Sequence, residues 1–407
     1  MKLTVISHKQ CWKPDPSREE YFTDGGFPLQ MNAIAGLFDS VEIGVPVTCG
    51  PLPMGVAPLV GGNMKIVELS PPAGSGIRRK VLFIAWLLKN GTKLVSSVAR
   101  ADAVHAIIPG DVGTIGMFAA IALRKRLFVR HCGNWLAPRT AAERFWKRSM
   151  EFFAGGRNVM FATGGGESAP SVKNPNIQWI FSTSLTRKEL DAARPREFPG
   201  HAPRLITASR LVANKGTEVV IEAFVEIAKS FPGAMLDIVG DGPLMDELNE
   251  KVKVLGIEDK VIFYGRVEQD RVVGLMRNAH VFCYPTTASE GFPKVVLEAL
   301  SAGLPVVTTR VSVLPTLISG GCGRLLDNPD PAELAVKIVD VVSNKANYEK
   351  MSRAAVVRSR KFSLENWAEY IGSALRHSWD VAQTASPLPG MQQESLNEDL
   401  LPGWNSR

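Results

Sequence analysis

"VFCYPTTASEGFPKVVLEALSAGLPVVTT", residues 281–309, holds a complete passage from strand to loop to helix to strand. "VFCYP" is a short apolar run closed by proline, the mark of a buried strand. Pro293 suits the first turn of a helix and Gly303 its C-terminal cap, so the spacing predicts a helix over 293–303. "LPVVTT" is the next strand. Two acids interrupt this apolar text. Glu290 falls in the loop before the helix, and Glu298 lies inside it among Val295, Val296, Leu297, Ala299 and Leu300.

The same alternation extends on both sides. "RLITASRL" (204–211), "AMLDIVGDGP" (234–243) and "KVIFYGRV" (260–267) read as strands. "GTEVVIEAFVEIAKSFP" (216–232), "LMDELNEKVKVLGI" (244–257) and "EQDRVVGLMRNA" (268–279) read as helices. Short buried strands separated by helices of ten residues or more predict a parallel sheet covered on both faces. The first half is less regular. It offers strands near 2–7, 41–44, 66–69, 104–108, 127–131 and 177–181, with Gly/Pro-rich stretches at 49–62 and 70–76. These suggest a second α/β domain with long loops. The expected division is an N-terminal domain over 1–185, a proline-rich linker over 186–203 and a C-terminal domain over 204–360. A last helix follows over 361–385, then a tail over 386–407 whose composition suits disorder.

Composition bounds the function. A chain of 407 residues suits two cores rather than one. The mean hydropathy of +0.03 is that of a globular protein. The longest apolar runs, such as "VLFIAWLL" (81–88), are far short of the roughly 20 residues that span a bilayer. "MKLTVISHKQ" alternates like a first strand and lacks a signal peptide's apolar core. The five cysteines, Cys11, Cys49, Cys132, Cys283 and Cys322, include no CxxC pair. Free thiols in a reducing cytoplasm are therefore expected. Residues 1–190 hold 23 Lys and Arg against 13 Asp and Glu, and residues 191–407 hold 24 against 27. The first half thus carries +10 and the second −3. Either the first half meets something anionic, or its cations are merely a solvated surface.

Four constellations have chemical meaning. A helix N-terminus with Glu290 before it and Glu298 inside it offers unpaired N–H groups and a carboxylate for a pair of hydroxyls, such as a ribose diol. The alternative is a surface ion pair between Lys294 and Glu298. In "ASRLVANKG" (208–216), Arg210 and Lys215 follow a strand and could grip a diphosphate, or form a solvated loop. "TDGGFPLQMNAIAGLF" (23–38) places Gly25 and Gly26 before a helix, either for close approach to a ligand or as an ordinary turn. "LFVRHCGNW" (127–135) ends a strand in His131, either a sugar-binding group or a structural histidine. There is no GxxxxGK[ST] loop and no HExxH. There is no Asp-x-Asp pair, and "GDGPLM" fails the GxGxxG pattern at Met245. "GGGES" (164–168) reads as a turn.

Taken together, these residues resemble the retaining glycosyltransferases of family 4, the "group 1" set with the GT-B fold. The likeness runs from about 204 to 328 through "ASRLVANKG", "IVGDGPLMDEL", "VIFYGRV", "YPTTASEGFPKVVLEALSAGLPVVTT" and "GCGRLLDNPDP". In the first half it rests only on Gly25–Gly26 and His131. The resemblance implies two Rossmann-like parallel-sheet domains facing across a cleft, with a nucleotide-sugar held mainly by the second. Arg210 and Lys215 would then bind the donor diphosphate, and Glu298 the ribose. Glu290 would lie by the donor sugar with the backbone of Gly291, Phe292 and Pro293 around it. The N–H groups of Val295 and Val296 would face the phosphates. Gly26 would let the first domain approach the donor, and His131 would sit near the transferred sugar. The sequence departs from the family pattern after that histidine, where Cys-Gly-Asn follows, and this leaves the role of His131 open. The helix near Trp367 would return to the first domain.

The implied reaction transfers a sugar, with retention, from a UDP- or GDP-type donor to a hydroxyl of a glycan or lipid-linked acceptor. Its setting would be cell-surface polysaccharide or glycolipid synthesis. Side-chain cations would replace a metal ion, so no cofactor and no metal are expected. Glu290 remains open as a covalent nucleophile. The segment "RTAAERFWKRSMEFFAGGR" (139–157) is a basic amphipathic helix whose aromatics either meet an anionic membrane or pack on the sheet. The expected location is cytoplasmic, with peripheral contact at the inner membrane face. No nucleic-acid module is present. The rival readings are another GT-B enzyme, such as a nucleotide-sugar epimerase, and a transferase-like binding subunit without turnover.

Overall fold

The computed structural model describes residues 1–74, 76–166 and 168–380. The chain divides into two compact units, Met1–Ser184 with the chain from Leu364, and Leu185–Ser363. The tail expected over 386–407 lies outside the described residues.

The first unit carries β1 (Lys2–Ile6), β2 (Cys11–Lys13), β3 (Phe22–Asp24), β4 (Ser40–Cys49), β5 (Val56–Pro58) and β6 (Met64–Leu69). It continues through β7 (Ala103–Ile108), β8 (Arg126–His131), β9 (Asn158–Thr163) and β10 (Ile177–Ile180). Its helices are α1 (Phe27–Ala35), α2 (Gly76–Arg100), α3 (Asp111–Ala122), α4 (Ala141–Phe153) and, near the chain's end, α13 (Leu364–Trp379). The sheet runs β10-β9-β8-β7-β1-β4 with every neighbour parallel, and β6 also joins β4 in parallel. β2 continues beside β4, while β3 and β5 close that edge in antiparallel pairs. Every residue of β7 is buried, as a parallel strand covered on both faces demands.

Five segments of this unit give weak signals in the sequence. The short strands β2, β3 and β5 have three residues each, too few to show a period. β9 is buried almost throughout and follows directly on a Gly-Gly turn. Helix α2 is the largest departure, because it extends through the Gly/Pro-flanked apolar run. Its buried stripe is Trp86, Asn90, Leu94, Ser97 and Val98. That spacing is helical, but two of the five residues are polar and conceal it. Asn90 accepts from the Ser70 N–H at 2.9 Å and donates to the Ser70 hydroxyl at 2.8 Å. The apolar residues Ile84, Leu87 and Leu88 are left outside.

The second unit carries β11 (Arg204–Ala208), β12 (Met235–Val239), β13 (Val261–Gly265), β14 (Val281–Tyr284), β15 (Val306–Thr309) and β16 (Gly323–Leu326). Around them lie α5 (Arg187–Asp191), α6 (Thr217–Ser230), α7 (Met245–Val254), α8 (Gln269–Asn278) and α9 (Lys294–Ser301). They are followed by α10 (Leu314–Leu317), α11 (Pro331–Val342) and α12 (Lys345–Arg360). The strand order is β13-β12-β11-β14-β15-β16, parallel throughout. The chain builds outward from β11 on one side, then returns to build outward from β14 on the other. Ligand crevices in open sheets form at the strands' carboxyl ends where this reversal occurs. α6 shows why the helices cover the sheet: Val220, Ile221, Phe224 and Ile227 fall on one buried face.

Residues 186–203 correct the expected linker. They belong to the second unit. Thr186 caps α5 in a reciprocal capping box with Glu189, and Phe198 packs against the unit's core. Prolines here shape a fitted segment rather than a free tether.

One polar pair sits inside the second core. Asp237 in β12 is fully buried, and Arg204 reaches it with two hydrogen bonds, Nε to Oδ2 at 2.6 Å and Nη2 to Oδ1 at 2.7 Å. Deleting the arginine strands a carboxylate away from water. Arg204→Ala is expected to cost about 3 kcal/mol in urea unfolding, and an Arg204→Leu/Asp237→Leu double variant to cost less than the single. A double variant as unstable as the sum of both singles would show that the pair is not coupled.

Candidate active site

The loops that leave β11 and β14 meet at the reversal point of the second sheet. After β11 the chain makes a short 3-10 turn, Ala213–Lys215, and enters α6 through Gly216, which is left-handed at φ 74°. After β14 it passes Thr286 and Glu290 before α9 begins. The Asn214 carbonyl ties the two loops by accepting from Thr286 Oγ1 at 2.8 Å, Thr287 N–H at 3.0 Å and Ala288 N–H at 3.2 Å.

This tie brings Lys215 to Glu290. Lys215 is only 5% exposed, and its ammonium forms an ion pair with Glu290 Oε1. A third residue completes the group. The Lys215 ammonium donates to the Tyr284 hydroxyl at 3.1 Å, and that hydroxyl donates to Glu290 Oε2 at 2.9 Å. Ser312 Oγ holds the Glu290 carbonyl oxygen at 2.6 Å. Lys215, expected to pair with an outside anion, thus has an internal counterion here. Arg210, in the same loop, is exposed, and among the described residues its guanidinium has no hydrogen bond or ion pair.

Helix α9 stands as expected and is buried over Val296–Leu300. Its cap residue Pro293 supplies no side-chain hydrogen bond to the first turn. One correction follows. The Val296 N–H is taken by the Pro293 carbonyl at 3.1 Å, which leaves Val295 as the better placed of the two expected phosphate donors. Gly291 and Phe292 are half-buried in the loop, and Phe292 lies 5.7 Å from the Phe362 ring. Glu298 is 7% exposed. Burial raises its carboxyl above the usual carboxylate range, against the opposing effects of a Gln269 hydrogen bond and the Lys294 charge. A surface ion pair does not describe this acid, because the helix face that carries it is inside.

The remaining two expected residues lie in the first unit. Gly26 is the N-cap of α1, behind the left-handed Gly25 at φ 67°. His131 ends β8 at 1% exposure, edge-on to Trp135 at 5.3 Å. Burial lowers its imidazole to about 4, so it is neutral near pH 7. Among the described residues its Nδ1 has no hydrogen-bond partner. The sequence reading missed Tyr284, Asn214, Ser312 and Gln269. Only Tyr284 carried a usable signal, a polar-tipped aromatic on the last position of a strand that ends at the reversal point.

Comparison with known proteins places this geometry. The solved structure of Anabaena Alr3699/HepE in complex with UDP superposes with a TM-score of 0.67 at 18% identity, covering 93% of this chain and all of that one. The fold is that of the GT-B glycosyltransferases. Residues 191–358 match the family model "Glycosyl transferases group 1". The GDP-mannose-dependent alpha-(1-6)-phosphatidylinositol monomannoside mannosyltransferase of Mycolicibacterium smegmatis is 29% identical over 181 residues, 43% of this chain and 46% of that protein. Mannosylfructose-phosphate synthase of Agrobacterium fabrum is 31% identical over 172 residues, 40% and 37% of the two chains. The match thus spans less than half the length of these curated relatives.

Gly216 controls the lysine's approach. A Cβ there would lie 2.3 Å from the Pro285 carbonyl oxygen, on a backbone that side chains avoid. Gly216→Ala is expected to lower stability by about 2 kcal/mol in urea unfolding. An unchanged midpoint would mean that the two loops are not held together as tightly as Asn214 suggests.

Proposed function

We propose that the chain is a retaining glycosyltransferase that moves a sugar from a UDP- or GDP-type nucleotide-sugar to a hydroxyl of a glycan or lipid-linked acceptor. The observation that carries this reading is the meeting of Lys215 and Glu290 where the second sheet reverses, with the free cation Arg210 in the same loop. A departing nucleoside diphosphate gains negative charge as the sugar bond breaks. Arg210, Lys215 and the first turn of α9 would offer positive charge to it, which would lower the barrier without a metal ion. Glu298 would hold the ribose hydroxyls. The names of two similar proteins support this donor class, since one was solved with UDP and another is GDP-mannose-dependent.

Purified protein supplied with UDP- and GDP-sugars is expected to release nucleoside diphosphate, most strongly with an acceptor present. Arg210→Ala and Lys215→Ala are each expected to lower kcat at least tenfold, about 1.4 kcal/mol of barrier, with the circular dichroism spectrum preserved. Turnover should survive a chelator. Undiminished rates in both variants, or activity lost to chelation and restored by added metal, would defeat the assignment.

The acceptor side of this reading includes peripheral contact with an anionic membrane at the cytoplasmic face. No helix of the described residues is long and apolar enough to cross one. Two aromatics of α4 turn inward onto α3 and two are left exposed. Trp146 donates to Thr114 Oγ1 at 2.8 Å and Phe153 packs edge-on to Phe118, while Phe145 and Phe152 are exposed at 50% and 80%. Helix α2 adds exposed Ile84 and Leu88, at 65% and 80%, and has no acidic residue in its 25. Apolar side chains among cations suit an anionic lipid surface. The protein is expected to sediment with anionic vesicles at low salt and to leave them at high salt, with Phe152→Ser weakening the binding. Equal sedimentation with neutral vesicles would remove this part of the reading.

A further inference from the structure

The Lys215 ammonium presents a problem that the proposed function alone does not solve. To meet a diphosphate it must leave Glu290, and Glu290 would then lose its countercharge. At 37% side-chain exposure, that carboxylate is only partly compensated by water. The third member of the group lies where compensation is needed. Tyr284 is 1% exposed and its position is firmly fixed. Its ring stacks on Phe282 at 5.9 Å, and Thr308 Oγ1 donates to its carbonyl at 2.6 Å. The hydroxyl touches both partners at once, accepting from Lys215 and donating to Glu290.

We infer that Tyr284 is a positioning residue: its hydroxyl keeps the Glu290 carboxylate hydrogen-bonded and in place when the Lys215 ammonium turns to the donor's diphosphate. The inference rests on the reading of Lys215 as a diphosphate ligand. The role requires a donor that never ionises. Burial and the neighbouring Glu290 charge raise the Tyr284 phenol above its ordinary value, so it keeps its proton. The role also needs a path for the ammonium. The Lys215 Nζ lies 5.6 Å from the centre of the Tyr284 ring, whose face can accompany the cation as it moves. No bond forms or breaks at Tyr284, and it does not enter the reaction itself.

The test is a double-mutant cycle in binding. Titration calorimetry with UDP, GDP and inorganic pyrophosphate as probes is applied to wild type, Tyr284→Phe, Lys215→Ala and the double variant. Phenylalanine fills the same space and removes one oxygen. Tyr284→Phe is expected to weaken the bound probe about tenfold, the loss of one hydrogen bond to a charged group. In the Lys215→Ala background the same change should cost less than about twofold, because the tyrosine acts through the lysine's departure. A scaffolding tyrosine would cost the same in both backgrounds, and that result overturns the inference, as does wild-type affinity in Tyr284→Phe. Failure of the underlying reading looks different: Lys215→Ala would bind as well as wild type, or wild type would bind none of the three probes, and the inference would fall with it. Should the phenylalanine variant not fold, 3-fluorotyrosine labelling keeps the question open to measurement. The chain has five tyrosines, and substituting the other four assigns the Tyr284 signal. That resonance must shift on adding the bound probe in wild type and stay fixed in Lys215→Ala; an unmoved wild-type signal refutes the role.

Discussion

An ammonium group cannot be taken out of water alone. The effective penalty is several kcal/mol, and Lys215 incurs it at 5% exposure. The partners that offset it come from a different loop, so the burial of one lysine requires two segments 75 residues apart to arrive together. The sheet makes that possible. β11 and β14 are sequence-distant yet adjacent, because the strand order reverses between them. The Asn214 carbonyl then fixes the spacing with three hydrogen bonds. Parallel topology, loop tie and ion pair form one dependent chain: without the reversal the loops separate, and without the tie the lysine has no partner within reach.

The rest of the site follows from the same sheet. α9 starts just beyond the β14 loop, so its first turn lies on the strands' carboxyl side. Glu298, one turn further along, is drawn into the interior by the apolar residues around it. Its raised affinity for a proton is the cost of that position. Under the proposed function, a carboxylate kept there, where leucine would pack better, would be held for binding rather than for stability.

Much of this was legible in the sequence, for a physical reason. The second unit's strands and helices have periods that their burial requires. "GTEVVIEAFVEIAKS" therefore announces α6, and Pro293 with Gly303 brackets α9. Glu290, Glu298, Arg210 and Lys215 could be marked because polar residues beside apolar strand ends stand out. The first unit was less readable. α2 hides its stripe behind Asn90 and Ser97, and the strands of three residues have no period to show. Tyr284 was lost for the opposite reason: its ring satisfies the apolar pattern, so its hydroxyl left no trace. Nor could a linear reading reveal that Lys215 finds its counterion within the protein.

That last point changes how the cation should be regarded. Lys215 is neutralised by Glu290, so the region does not hold a bare buried charge. A buried ion pair contributes little net stability, since attraction and desolvation nearly cancel. Exchanging one anionic partner for another inside an already desolvated site therefore costs far less than first burying the charge. A diphosphate carries more charge than a carboxylate and offers more acceptor oxygens, so the exchange favours the ligand. The site is thus preorganised by its own counterion. Under the proposed function, Glu290 would hold the ammonium in position until a more highly charged partner arrives, and the carboxylate, still hydrogen-bonded to Tyr284, would then face whatever that partner carries.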